Sequence, residues 1–156
     1  MRDDGVSQHY LAPERYAYPD GGLTEALVSA AEGRGLLPIR GSTWTVPTPY
    51  RTTAQELETY RTEGVLVTEM ATAALFAVTS ALRARAASAV VVSRRLGATA
   101  RSPQVGDPRS AMEGLLTAAI EAIRLCHRAR IVDTDRRPCT MTAPPWYELA
   151  SLATRS

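Results

Sequence analysis

Short apolar runs of strand character alternate with helical stretches along this chain, and that alternation restricts it to a sheet layered with helices. The sharpest run is Val90-Val91-Val92, inside residues 87–93. It is β-branched, too short for a helix and apolar on both faces, so it belongs in the middle of a covered sheet. Val65-Leu66-Val67-Thr68 is a second strand. Residues 36–46 read as a third, with Pro38 at its start and Gly41 marking a bulge or bend.

Between the strands the apolar spacing becomes helical. Leu23, Ala26, Leu27, Ala30 and Ala31 define a helix over 23–32 that stops at Gly33 and Gly35, after the turn signal Pro19-Asp20-Gly21-Gly22. Thr53-Ala54-Gln55-Glu56 is a capping box, in which the Thr hydroxyl and the Glu carboxylate each satisfy an orphan amide; that helix should end at Gly64. An Ala-rich helix is expected over 71–85, with Leu75, Val78, Thr79 and Leu82 on one face. Asp107-Pro108 opens the last helix as a carboxylate cap followed by Pro in the first turn. Its apolar stripe runs Met112, Leu115, Leu116, Ala119, Ile120, Ile123 and Cys126. Three strands are fewer than the five or six of an average sheet, roughly, so the sheet reads as incomplete.

At 156 residues the chain fits one domain, assigned to 1–132, followed by a Pro-rich tail over 133–156. The tail's Trp146, Tyr147 and Leu149 fit a docking segment, or equally a disordered end. The formal charge is only +2 and the arginines are scattered, which argues against a nucleic-acid partner. No apolar run approaches the roughly 20 residues that span a bilayer, and the first residues lack the apolar centre of a leader. Two cysteines and two histidines, without ligand spacing, point away from a metal site. A cytoplasmic protein is expected.

Three stretches carry a family resemblance. Residues 2–13, Arg2-Asp3-Asp4-Gly5-Val6-Ser7-Gln8-His9-Tyr10-Leu11-Ala12-Pro13, are similar to R-D-E-G-T-S-x-H-Y-x-x-P. Thr43-Trp44-Thr45-Val46-Pro47-Thr48-Pro49-Tyr50-Arg51-Thr52-Thr53 is close to T-W-T-T-D-A-P-Y-R-E-T. Residues 63–78, from Glu63-Gly64-Val65 through Glu69-Met70-Ala71 to Phe76-Ala77-Val78, follow E-G-V-L-A-V-E-M-E-x-A-A-L-F-A-V. In this order and spacing the segments resemble the nucleoside phosphorylases, specifically the uridine phosphorylase-like members, over residues 1 to about 128.

The resemblance implies an α/β fold of three layers, α/β/α, around a mixed sheet, with the opening strands and the phosphate-binding loops of the family missing. Met1 falls where the family's R-D-E-G segment begins, and nothing in residues 1–156 looks like a Gly-rich phosphate loop. It also implies phosphorolysis, in which phosphate attacks the anomeric carbon of a ribonucleoside through an oxocarbenium-like transition state. The protein's part in that reaction is positioning and charge stabilisation. Phosphate would be the co-substrate, with no organic cofactor.

In the family's E-M-E segment the Met packs on the ribose and the second Glu accepts hydrogen bonds from its hydroxyls. Here Met70 matches the Met, Glu69 matches the first Glu, and Ala71 replaces the second. Charge-assisted hydrogen bonds contribute roughly 1.5–3 kcal/mol each, so this loss costs about tenfold to ten-thousandfold in catalysis. Base-binding residues carried over by the resemblance are Arg94, in a Ser93-Arg94 pair nearer to the pyrimidine-specific pattern, and Tyr50 and Arg51. Arg94 fits equally a solvent-facing residue at a strand end. Tyr50 and Arg51 also fit, and more readily, a rigid loop beside two prolines that packs against a neighbour, and Pro47 stands where the family has Asp.

Three readings follow. The chain is a subunit, inactive alone, whose sheet is completed by a separate chain carrying the missing portion, in an oligomer that binds a nucleoside. It is a non-catalytic, degenerate relative that keeps a base pocket. Or it is a gene remnant, or a sequence whose start is placed too late.

Overall fold

The computed structural model describes residues 1–96 and 107–132, with side chains to 128. Its helices are α1 (Gly21–Glu32), α2 (Ala54–Thr62), α3 (Thr72–Ala81) and α4 (Pro108–Val132), and its strands are β1 (Ser42–Thr45) and β2 (Val65–Glu69). The strands run parallel, with Thr43 opposite Val67 and Thr45 opposite Glu69, and α2 is the crossover that a parallel pair requires. An irregularity between Ser42 and Thr43 lies beside Gly41, the expected bulge. A Cβ at Gly41 would meet the exposed Leu66 side chain, which would have to turn aside, so glycine gives the easiest approach here.

Strand alternation sets the layers. Trp44 and Val46 point to one face, where they form a core with Met1, flanked by Leu57 and Tyr60 of α2. The Trp44 and Tyr60 rings lie 4.3 Å apart at 54°, and the indole N–H donates to Asp3 at 3.3 Å. Thr45 points to the other face, fully buried, and accepts from the Ala73 amide of α3 at 3.0 Å. The chain at Arg2 extends the sheet by one parallel bridge to Thr45. The result is a partial α/β fold.

Helix ends follow local chemistry. Asp20 accepts from the Leu23 amide at 2.7 Å, so α1 starts at Gly21, two residues before the apolar spacing begins. The α2 capping box is present in both directions. The helix expected over 71–85 stops at Ala81. The Arg83 amide bonds to Ser80 and the Ala84 amide to Thr79, the paired bonds of a Schellman ending, with Arg83 at φ 52°. Glycine normally marks such an ending, and its absence hid this one.

Two expectations are corrected. Residues 87–93 form no strand, and Val90 and Val92 are exposed. β-Branched residues favour an extended chain, but a strand exists only through a neighbour that completes its ladder, and none pairs with this segment among the described residues. The last helix, moreover, does not turn its large apolar stripe inward. Ala118 and Ala122 are buried instead, against Leu27, Ala30 and Ala31 of α1. An alanine seam lets two helix backbones approach closely, and this excludes the larger side chains. The tail with Trp146, Tyr147 and Leu149, and the loop over 97–106, lie outside the described residues.

Because a non-glycine residue in the left-handed region is strained by roughly 1–2 kcal/mol, Arg83→Gly should stabilise the fold, by about 0.5–1 kcal/mol once the added freedom of the unfolded chain is subtracted. Urea denaturation checks this; a decrease in stability would show that the Arg83 side chain contributes more than its backbone costs.

Candidate functional site

The carboxyl ends of parallel strands leave a crevice where α/β folds bind ligands. In this chain β1 and β2 end level with one another, at Thr45 and Glu69. The Val46 amide bonds to the Glu69 carbonyl at 2.9 Å, so the segment leaving β1 and the bend leaving β2 emerge side by side. From the first comes the turn Pro49–Arg51, and from the second come Met70 and Ala71.

Glu69 is the pivot of this edge. One carboxylate oxygen accepts from the Thr45 hydroxyl, and the other accepts from the Ala71 and Thr72 amides, each at 2.7 Å. Ala71 occupies the cap position of α3 but has no side chain with which to cap, so Glu69 serves the orphan amides from two residues upstream. Its negative charge lies at the positive end of that helix. Burial pushes the Glu69 carboxyl upward, but the hydrogen bonds from Thr45, Ala71 and Thr72 outweigh it and hold the group below the usual glutamate range.

The other expected residues are more open. Met70 is 60% exposed and Ala71 is exposed beside it, its methyl meeting solvent where the family carries a carboxylate. Tyr50 is fully exposed and Arg51 exposed in the turn after β1, and neither packs as part of a rigid interior loop. Arg94 is exposed at the end of the 87–93 segment. That segment is tied to the start of α3, where the Thr72 and Ser88 hydroxyls lie 3.4 Å apart, and to the start of α1 through the Asp20 amide and the Ala86 carbonyl at 2.7 Å. Thus Met70 and Ala71 follow the end of β2, and the turn with Tyr50 and Arg51 follows the adjacent end of β1.

The first motif has a structural part that its residue pattern did not disclose. The Arg2 guanidinium donates to the Ser7 hydroxyl at 2.9 Å and to the carbonyls of Leu11, Ala12 and Glu14. Asp4 accepts from the Val6 and Ser7 amides and the Ser7 hydroxyl. Burial raises the Asp4 carboxyl, and the Ser7 and Val6 bonds more than offset it, leaving it below its ordinary value. These groups clamp residues 2–14 into one loop, and His9 and Tyr10 stay exposed on its short helical turn.

An open cleft of about 300 Å³ lies elsewhere, between the end of α1 and α4, and none of the expected site residues lines it. Among the described residues no helix is long and apolar enough to cross a membrane.

The phosphorylase superfamily model matches residues 1–129, and the chain belongs to that superfamily, the nucleoside phosphorylase family to which its three motifs point. Neither a curated protein nor a solved structure matches it significantly.

The Glu69 bonds give a pH prediction. A carboxyl depressed in the fold contributes stability that is complete above its ordinary unfolded value and is lost as pH falls through the lower folded value. Glu69→Gln should therefore lower stability near neutral pH by about 1–2 kcal/mol, the low end for a partly exposed charged group. It should also flatten the acid side of the stability profile. Denaturant titrations from neutral into acid pH check both, and an unchanged acid limb would remove Glu69 from this role.

Proposed function

We propose that this chain is the later portion of a nucleoside phosphorylase-like pentosyltransferase, acting on a ribonucleoside of the pyrimidine class and inactive by itself. The observation that carries this reading is the division of labour at the end of β2. Glu69 is engaged by Thr45 and by the start of α3, while the neighbouring position that faces outward is Ala71. Met70 is open to pack on a sugar. Three donors from β1 and α3 already occupy Glu69, which leaves it little acceptor capacity for a ribose hydroxyl. At position 71, where the family chemistry places the sugar-binding carboxylate, this chain has an alanine.

Arg94 supports a pyrimidine: a planar guanidinium can donate to a base carbonyl and neutralise charge developing on the departing base. Tyr50 and Arg51, in the turn that follows the adjacent end of β1, would line the base side. Phosphate would be the co-substrate, and no other cofactor is called for.

A separate chain that completes the sheet accounts for the exposed Val90 and Val92 and for a described sheet of only two parallel strands. Parallel sheets are stable when covered on both faces and extended by neighbours. A second reading, a nucleoside-binding relative without turnover, is favoured specifically by Ala71.

Purified chain mixed with uridine and inorganic phosphate should release no uracil. Turnover near the enzyme median of about 10 per second without any partner would overturn the proposal. Since Ala71 is exposed, Ala71→Glu should fold normally and raise uridine affinity, by about tenfold if one charged hydrogen bond to the sugar is restored. Calorimetry decides the point: a folded variant with no gain means that the pocket no longer follows the family geometry.

A further inference from the structure

The face of α4 opposite its alanine seam is apolar and open. Met112, Leu116, Ile120 and Ile123 are 52%, 62%, 43% and 61% exposed. At about 100° per residue they fall within an arc of roughly 80°, a continuous stripe along the helix. Four large aliphatic side chains in one row form the kind of exposed patch that marks a contact surface. Arg109 and His127 bound it at the two ends.

Charge identifies what fits there. Glu113 and Arg124 lie within about 20° of one another along the same edge of the stripe. Both are exposed, and neither has an ion-pair partner among the described residues, whereas Glu121, further round the helix, is paired with Arg34. When two identical helices meet antiparallel about a two-fold axis, each edge faces the same edge of its mate. A parallel pair sets it against the opposite edge, which from Pro108 to Arg128 carries no charge.

We propose that α4 is a homodimer interface in which it packs antiparallel on α4 of a second copy, with the two-fold axis level with Ala118. In that register Met112 meets Ile123 of the partner subunit, Leu116 meets Ile120 of the partner subunit, and Glu113 meets Arg124 of the partner subunit. Symmetry makes each contact twice, so one surface satisfies both its apolar row and the Glu113–Arg124 pair. The α1 seam occupies the opposite side of α4 and is left undisturbed. This inference is independent of the nucleoside reading.

Sedimentation equilibrium on the full 156-residue chain tests it, with circular dichroism to confirm that each variant is folded. The wild type should show a monomer–dimer equilibrium, and Leu116→Asp should be monomeric. Glu113→Arg or Arg124→Glu alone should raise the dissociation constant by about tenfold or more, and the two together should return it to within about threefold of wild type. A wild type that stays monomeric at every concentration overturns the proposal, including one whose stripe is covered by residues 133–156. So does an assembly that survives Leu116→Asp, or a double variant no better than the single ones.

Discussion

The carboxylate of Glu69 joins three elements, tying the start of α3 to the paired ends of β1 and β2. It accepts from Thr45 at the end of β1, belongs to the end of β2, and receives the first amides of α3. Thr45 completes the link by accepting from the amide of Ala73, the second residue of that helix. A charged acceptor serving several donors in a half-buried place is among the stronger polar arrangements available to a small fold. It acts at the point where the β1–β2 ladder ends both strands level, at Thr45 and Glu69.

The same arrangement explains the chemistry this edge has and lacks. Glu69 spends most of its acceptor capacity on Thr45 and the first amides of α3. Two residues on, Ala71 is exposed and contributes no polar side chain.

Much of the architecture was legible in the residues. The capping box at Thr53 and Glu56, the short strand at 65–69 and the irregularity beside Gly41 follow from local chemistry that needs few distant contacts. Of the candidate site, the residues alone disclosed where Met70 and Ala71 stand in the chain, directly after the strand that ends at Glu69. The part played by Glu69 was not legible, since its partners come from three elements and no spacing rule predicts a cap supplied from two residues upstream. The Schellman ending at Arg83 escaped notice for want of a glycine.

By itself the sequence determined the alternation of elements, most of their limits and the family. These depend on short-range propensity, capping and motif order, all of which are written along the chain. Only the tertiary structure decided which face of α4 is buried and whether residues 87–93 join a sheet. Periodicity reports that a helix has an apolar side, but the contact with α1 selects side chains by the room between two backbones. Alanines fit that space, so Met112, Leu116, Ile120 and Ile123 are left outside it. Likewise, Val90, Val91 and Val92 state a preference for an extended chain, while a ladder is a property of two segments and cannot be read from one.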